Sequence, residues 1–418
     1  MHIRGKKMER IIANEGKSGY HIVTSQFAHE AELYAASQLK IYLEKASFAV
    51  IPYFSDRCEK RTPEIRVGRN VRGNTDRSDG IGDEGFKIYT DGEDIVICGR
   101  TPRGTVYGVY RFLEEIIGFR CFTKDIETFD KRGKIAVSNI DITENPSFEY
   151  RDTYFRGAFD CDYAVKNRLN SSLALIPNEK GGRTKFYNFH HSFYDILPPD
   201  IYFDEHPEYY SLVDGVRLKQ NGQLCLTNED AVNEAIKRVK EWIKSRPDCK
   251  VFSVAQNDWS NNCTCPKCRE TDEKEGSPSG SIIYFVNRIA EEIEKEYPDV
   301  LIHTFAYQYS RKAPKFIRPR DNVIVRLCNI ECSWDENLRE KKANSPESYT
   351  AEFVGNITDW GKISKHLYIW DYACNFSYYI LPFPNYYILA DNLRYYKECG
   401  VSGILEQGNF SYGAATGL

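Results

Sequence analysis

The stretch VFSVAQND, residues 251–258, is an apolar run that ends in two polar residues and a carboxylate. A continuous apolar run of this length is typical of a strand that is buried on both faces of a parallel sheet. In barrels built from such strands, the active site lies at the carboxyl ends of the strands. We therefore predict a buried strand here, with Asp258 at the edge where a site would form.

The same pattern recurs along the rest of the chain. The matching stretches are FEYRDTYF (148–155), LIHTFAYQ (301–308), VIVRLCNIE (323–331), HLYIWDY (366–372) and VSGILEQG (401–408). Helical periodicity lies between them at residues 231–243 and 280–296. This alternation predicts a TIM-type (β/α)8 barrel over residues 146–418. An open doubly wound sheet is the alternative, but no glycine-rich phosphate loop follows the first strand.

Residues 1–145 read as a smaller α/β domain that precedes the barrel. Its predicted elements are helices 28–45 and 104–117 and strands 64–68, 86–89 and 94–98. The first helix has an apolar face formed by Leu33, Ala36, Leu39 and Leu43. Pro146, within TENPSFEYRD, marks the boundary because proline favours an extended residue before it.

The last predicted strand lies close to the end of the sequence. If VSGILEQG is strand eight, only ten residues follow it, too few for a closing helix. We therefore expect the barrel to be incomplete after strand eight, or its last strand to be covered by another part of the protein.

Composition excludes several classes of function. A net charge of −4 gives no basic footprint for a nucleic acid. No uninterrupted apolar run of about 18 residues occurs, so no membrane span is expected. The N-terminus has no apolar run of signal-peptide length, which predicts a cytoplasmic protein as written, or an extracytoplasmic one if a leader has been removed. The sequence leaves the oligomeric state open.

Aromatic residues make up 14% of the chain, and aromatic rings cover the apolar faces of sugars. Four predicted strands also end in carboxylates, namely Asp258, Glu331, Asp371 and Glu406. Glycoside hydrolysis needs one acid to protonate the leaving oxygen and a second group at the anomeric centre. We therefore predict a glycosidase acting on an oligosaccharide or a glycoprotein glycan. For each acid taken alone, a solvated strand end is the alternative reading.

Side chains near these acids are the predicted substrate contacts. Asn257 is placed to orient an acetamido group, or else it holds a turn. His190 and His191 lie in a long aromatic-rich connection, where loops at a barrel mouth contact substrate. The full set of predicted contacts is Asn257, His190, His191, Tyr307, Trp370, Asp371, Tyr372, Glu406 and Gln407.

The motif CTCPKC places Cys263, Cys265 and Cys268 at a spacing that can bind zinc. A four-ligand site needs a further partner, for which Cys328 or Cys332 is the candidate. A reduced structural loop beside the active site is the preferred reading. The prediction is therefore no cofactor, with structural zinc as the alternative.

Several of these stretches, taken together, resemble a known family. TPRGTVYGVYRFLEEIIGFRCF is similar to the non-catalytic N-terminal α/β domain of β-hexosaminidases and α-glucuronidases. The stretches QLCLTN, QND, CTCPKC, VIVRLCNIEC, YIWDY, LPFPN and GVSGILEQGN resemble the domain of unknown function numbered 4838. That family overlaps glycoside hydrolase family 163, endo-β-N-acetylglucosaminidases that act on complex N-glycans and are found largely in gut Bacteroidetes. Chains of that family continue past EQGN, and secreted members carry a leader.

The resemblance implies retaining hydrolysis of a β-linked N-acetylglucosamine, with the acetamido oxygen of the sugar as nucleophile. Either Asp258 or Glu331 is then the general acid/base, and the other stabilises the oxazolinium-like centre. Asp371 and Glu406 are assigned to sugar hydroxyls. An exo-acting hexosaminidase or α-glucuronidase is the first alternative, and a uronate would need Arg156 or Arg326 near the carboxylates. A glycan-binding protein without catalysis is the second.

Overall fold

The computed structural model of the chain describes residues 9–73, 80–341, 348–379 and 381–410. The chain divides into two compact units. The first contains the described residues up to Glu149 together with Phe155–Arg183, and the second contains Tyr150–Tyr154 and Thr184–Asn409. No helix in these described ranges is long and apolar enough to cross a membrane. The expected incomplete end of the barrel falls on residues 411–418, outside the described ranges.

The first unit is built on two main sheets and a third sheet of two short strands. Its strands are β1 (Arg10–Asn14), β2 (Lys17–Ser18), β3 (His21–Thr24), β4 (Tyr53–Ser55), β5 (Glu64–Val67), β6 (Phe86–Asp91), β7 (Asp94–Gly99), β8 (Arg120–Thr123), β9 (Ile126–Thr128), β10 (Lys134–Val137) and β11 (Asp141–Glu144). The larger sheet has the order β11-β6-β7-β5-β3-β4, in which β3, β4, β5 and β7 run parallel. The order β10-β1-β2 forms the smaller sheet. The three predicted strands of this unit are thereby confirmed as β5, β6 and β7.

Two long helices, α1 (Glu30–Ser47) and α2 (Pro102–Ile117), supply much of the core of the first unit. Both predicted helices are confirmed. The predicted apolar face of α1 needs one correction, because Leu33 is 42% exposed. The other three predicted residues, Ala36, Leu39 and Leu43, are buried as expected, and Ala31 and Ala35 share the buried face with them.

The second unit is a curled parallel sheet with helices between its strands. Its strands are β12 (Tyr150–Thr153), β13 (Phe186–Tyr187), β14 (Leu212–Val213), β15 (Val216–Arg217), β16 (Val251–Ser253), β17 (Leu301–Ala306), β18 (Val323–Cys328), β19 (His366–Tyr372) and β20 (Val401–Gln407). In chain order, the remaining helices are α3 (Cys161–Lys166, in the first unit), α4 (Phe193–Ile196), α5 (Pro199–Tyr202), α6 (Glu229–Ser245), α7 (Pro266–Glu275), α8 (Ser279–Glu294), α9 (Tyr349–Ile363) and α10 (Leu389–Glu398). The predicted helices 231–243 and 280–296 are confirmed as α6 and α8.

The main sheet has the order β12-β20-β19-β18-β17-β16-β13, and every pairing in it is parallel. All six predicted strands are present, and β13 is an addition. An eight-stranded barrel is not confirmed, because within the described residues the sheet has seven strands and no ladder joins β12 to β13. The sheet nevertheless curls back on itself, since the rings of Tyr150 and Phe186 from its two edge strands lie 5.1 Å apart.

The inner face of this curled sheet is filled by a buried arginine among aromatic rings. The guanidinium of Arg326, on β18, lies within 6 Å of the rings of Tyr150, Phe186, Phe189, Tyr368 and Trp370. The side chain is fully buried, and its nitrogens have no hydrogen-bond partner among the described residues. Burial lowers the pKa of Arg326 from its usual value. A residue packed in this way is part of the core of the curled sheet.

Candidate active site

The carboxyl ends of β16, β17 and β18 bring together two of the predicted acids. Asp258 follows β16 with its side chain 63% exposed, and its Oδ1 accepts a hydrogen bond of 3.1 Å from the hydroxyl of Tyr307. Glu331 follows β18 with its side chain 28% exposed. Burial raises the pKa of Tyr307, and the negative charges of Asp258 and Glu331 raise it further. Both carboxylates therefore act on the same phenol.

The two acids differ in their partners. Nη1 of Arg311, a side chain only 6% exposed, donates to Glu331 over 2.9 Å, and Nη2 of the same guanidinium lies 3.0 Å from Glu352. Asp258 has no arginine or lysine partner among the described residues. A charge-assisted bond to a guanidinium favours a carboxylate that carries negative charge. Glu331 is thus suited to stabilising positive charge, whereas Asp258 is exposed and has no cationic partner among the described residues.

His191 lies beside Asp258. Its Nδ1 lies 2.5 Å from the backbone carbonyl of Gln256, which can only accept, so Nδ1 carries a hydrogen. Its Nε2 lies 3.8 Å from Oδ1 of Asp258. The imidazole and the carboxylate therefore lie side by side, just beyond hydrogen-bonding distance.

Rings line the inner face next to these acids. His191 contacts Phe305 and Tyr307, with centroid distances of 5.2 and 5.9 Å, and Trp370 contacts Phe305 at 5.9 Å. The indole nitrogen of Trp370 donates to Oε1 of Gln407 over 2.8 Å. These contacts hold Trp370 and Gln407 on the side of the sheet that Tyr307 occupies. Such a surface has the apolar and hydrogen-bonding groups that sugar rings require.

His190 lies against Phe189 and Trp370, with centroid distances of 4.9 and 6.1 Å. Burial, with smaller contributions from the charges of Arg326 and His191, lowers the pKa of His190 to about 4. The ring is therefore neutral at neutral pH and can both donate and accept a hydrogen bond. Its predicted contact with a sugar hydroxyl stays a prediction.

Asn257 is buried, and the protein uses its polar groups. Its amide nitrogen donates to the carbonyl of Gly222 over 2.9 Å, and its Oδ1 accepts from the backbone of Tyr194 over 3.3 Å. The backbone N–H of Asn257 donates to Oε1 of Gln223 over 2.8 Å. These bonds match the turn-holding alternative, and a contact with an acetamido group stays a prediction.

Asp371 and Glu406 do not join the inner cluster. Because side chains alternate along a strand, Asp371 points away from the side occupied by its neighbours Trp370 and Tyr372. Its carboxylate accepts from Asn329 over 2.7 Å and from the hydroxyl of Tyr396, on α10, over 2.8 Å. Glu406 is paired in register with Asp371 on the neighbouring strand and so shares that side. The sugar contacts predicted for both acids stay predictions.

Tyr372 lies on the inner side, with its ring 5.7 Å from that of Trp334. Trp334 is half-buried and Trp259, the neighbour of Asp258, is 47% exposed.

Arg311 was missed by sequence reasoning, since a lone arginine in the stretch YSRK carries no signal of its own. The predicted alternative role of Arg326 as a uronate partner is not supported by its burial inside the ring cluster.

The fourth cysteine beside the CTCPKC motif is neither of the two that the sequence analysis proposed. The structure places Cys225, from QLCLTN, beside Cys263, Cys265 and Cys268. Cys328 and Cys332 are buried elsewhere, so proposing either one as the fourth ligand was wrong. A cysteine 38 positions before the motif gives no spacing signal, and only the fold brings it near.

The pattern of the family described as Domain of unknown function (DUF4838) matches residues 121–417. No curated protein sequence matches the chain. Among solved structures, the chain is similar to a family GH115 4-O-methyl-α-glucuronidase with specificity for decorated arabinogalactans, at 10% identity and a TM-score of 0.54, over 95% of this chain and 54% of that one. It is also similar to the Flavobacterium johnsoniae chitobiase (12% identity, TM-score 0.49, 96% and 64% covered) and to the Streptomyces coelicolor GH20 β-N-acetylhexosaminidase (12%, 0.45, 97% and 84%).

The chain thus spans about half the length of the glucuronidase. At this identity the likeness to the glucuronidase shows a shared fold alone. Because one fold hosts many chemistries, function has to be argued from the site.

Proposed function

The chain belongs to the DUF4838 family. We propose that it is a glycoside hydrolase that cleaves β-linked N-acetylglucosamine within glycans such as complex N-glycans. The observation that carries the proposal is that Asp258 accepts a hydrogen bond from the hydroxyl of Tyr307, beside the rings of the inner face, while Glu331 lies close enough for its charge to act on the same phenol. Two carboxylates in unlike surroundings are what an acid and a charge-stabilising group require.

Asp258 is assigned the role of general acid/base. Its exposure lets a glycosidic oxygen approach, and the hydrogen bond from Tyr307 orients its carboxyl group, with His191 3.8 Å away. Glu331, held by Arg311, is assigned to the positive charge that develops at the anomeric centre. This assignment chooses between two roles that the sequence leaves open.

The proposed reaction is retaining and substrate-assisted. The acetamido oxygen of the sugar attacks the anomeric carbon as the bond to the leaving oxygen breaks, and Asp258 gives its proton to that oxygen. The oxazolinium intermediate is then opened by water, whose proton returns to Asp258. The nucleophile thus comes from the substrate, one of the recognised exceptions to the two-carboxylate scheme.

The test is mass spectrometry of glycans released from a complex-type N-glycoprotein by the wild-type chain, Asp258→Asn and Glu331→Gln. We expect glycans that end in one reducing N-acetylglucosamine, with release slowed about 100-fold or more in Asp258→Asn, the usual size of an acid/base effect. The matched control is Asp321→Asn, an acid with a side chain 80% exposed just before β18, at the opposite edge of the sheet.

Product length separates endo from exo cleavage, because an exo enzyme releases single sugars. Binding of the glycan without release by the wild type would contradict the proposal and favour the glycan-binding alternative. Full activity in Asp258→Asn would contradict the assignment of the acid.

A further inference from the structure

Four cysteines of the second unit meet at one point in the fold. Cys225 precedes α6, Cys263 and Cys265 lie in the connection after β16, and Cys268 lies in the first turn of α7. All four side chains are buried, and their sulfur atoms lie within 4.8 Å of one another. Of the 13 cysteines in the chain, these four form the one such group within the described residues.

The sulfur positions fit a tetrahedral metal site better than disulfides. The Sγ of Cys225 lies 3.6 Å from that of Cys265 and 4.0 Å from that of Cys268. A tetrahedral Zn²⁺ with Zn–S bonds of about 2.3 Å places its sulfurs roughly 3.8 Å apart. A disulfide requires about 2.05 Å, and all four thiols are free in the structure.

Donors from the surrounding loops point at these sulfurs. The backbone N–H of Leu212 donates to the Sγ of Cys263 over 3.3 Å, and Nη1 of Arg217 lies 3.9 Å from the same atom. The hydroxyl of Thr227 lies 3.2 Å from the Sγ of Cys268. Four thiolates around a divalent ion carry a net charge of −2, which N–H donors and a guanidinium offset.

We propose that Cys225, Cys263, Cys265 and Cys268 bind one Zn²⁺ as a structural site. Zinc is the metal of choice for four thiolates in a tetrahedron, and four protein ligands leave no position for substrate or water. The site is therefore structural and takes no part in catalysis. Binding free energy of such an ion becomes folding free energy of the two segments that it joins.

The joined segments support the loop that carries Asp258. Gln223, two residues before Cys225, donates from Nε2 to the carbonyls of Asn257 and Trp259 over 3.0 and 2.5 Å. Five residues after Asp258, Cys263 anchors the other end of the same loop. A bound zinc would fix the segment around Gln223 and the end of the loop at Cys263, and so would help to position Asp258. This consequence, unlike the metal site itself, rests on the proposed function.

The first measurement is elemental analysis of the full chain, purified without chelators and without a metal-affinity step. We expect about one zinc per chain in the wild type and in Cys58→Ser, an exposed cysteine of the first unit. In Cys225→Ser and Cys268→Ser we expect the zinc content to fall at least tenfold. No substrate is used, so this result is independent of the proposed glycosidase activity.

A second measurement covers the case in which the serine variants fail to fold. Titration of the wild-type chain with an organomercurial should release zinc to a chromogenic chelator as four thiols react. Cobalt that replaces the zinc should give the intense visible absorption of a tetrahedral thiolate site. Iron in place of zinc, four free thiols without metal, or disulfides found by mass spectrometry would each overturn the proposal.

Discussion

Asp371 and Glu406 are neighbours in register, yet their carboxyl groups have different partners. Asp371 accepts three hydrogen bonds, from Asn329, Tyr396 and the backbone of Tyr372. Both oxygens of Glu406 are buried without a hydrogen-bond partner among the described residues. Burial raises the pKa of Glu406 well above its usual value, and the charge of Asp371 raises it further. The three donors to Asp371 favour its ionised form, so the pair keeps its proton on Glu406.

Glu406→Gln tests this protonation. In the unfolded chain Glu406 ionises near pH 4.3, whereas in the folded chain it keeps its proton to higher pH. The wild type therefore loses stability as pH rises above that value, until the folded carboxyl also ionises. We expect Glu406→Gln to match the wild type near pH 4 and to be more stable at pH 8, by about 1.4 kcal/mol for each pH unit by which folding raises the pKa of the Glu406 carboxyl.

Urea unfolding of both proteins at several pH values measures this difference. An advantage that does not grow with pH would contradict a proton on Glu406. Glycan release by the same variant tests separately whether Glu406 contacts sugar, since a merely structural role leaves the activity of a folded variant unchanged.

Tyr307→Phe removes the hydroxyl that donates to Asp258 over 3.1 Å. We expect the rate of glycan release to fall about 10-fold or more, since a hydrogen bond to a charged group contributes roughly 1.5–3 kcal/mol. Steady-state kinetics on a released-glycan assay measures the effect. Tyr284→Phe is the matched control, because the hydroxyl of Tyr284 donates over 2.8 Å to Glu229 on the exposed surface of α6. Equal losses in both variants would contradict a specific role for Tyr307.

Strand β20 packs closely against β19 because Gly403 has no side chain. A Cβ at Gly403 would lie 2.5 Å from Cδ1 of Tyr368. That ring has little room to move, because it stacks on Tyr150 with centroids 5.6 Å apart and planes 7° apart. Close contact between two strands and their rings therefore depends on glycine at this position.

Gly403→Ala should destabilise the second unit by about 1–3 kcal/mol, the usual cost of overpacking a core. Thermal and urea unfolding of the variant measure this loss. Gly133→Ala is the control, since no atom lies within 4 Å of its added Cβ. A Gly403→Ala protein as stable as the control would contradict the fit of ring to strand.

The four helices predicted from sequence are the longest in the described part of the chain. Helices α1, α2, α6 and α8 each have 16 to 18 residues, which gives the periodicity several turns to show itself. Strand β13, Phe186–Tyr187, has two residues and no pattern. It exists because β16 offers a parallel partner, and a partner is a tertiary feature.

The chain enters the second unit at Tyr150, leaves it after Tyr154 and returns to it at Thr184. The intervening segment packs into the core of the first unit through Ala164, Val165, Ala174 and Ile176, all buried. The two units are therefore discontinuous in sequence.

A fragment that begins at residue 146 should fold poorly, because residues 155–183 would expose the apolar side chains that the first unit covers. We expect strong binding of an apolar dye and aggregation on heating. The matched control replaces residues 155–183 by a short Gly/Ser linker and should be more soluble. A fragment with the segment retained that melts at the temperature of the full chain would contradict this dependence.

Local patterns in the sequence predict the parallel strands, the long helices and the acidic residues at the strand ends. Continuous apolar runs, helical periodicity and carboxylates are local, so neighbouring residues suffice to reveal them. Tertiary structure is needed to show that Asp258 bonds to the phenol of Tyr307 near Glu331, whereas Asp371, with Glu406 beside it in register, bonds to Tyr396 on α10. It also decided that Cys225 completes the cysteine cluster. The direction of a side chain and the partner of a distant residue depend on how the sheet curls, which no stretch of neighbouring residues encodes.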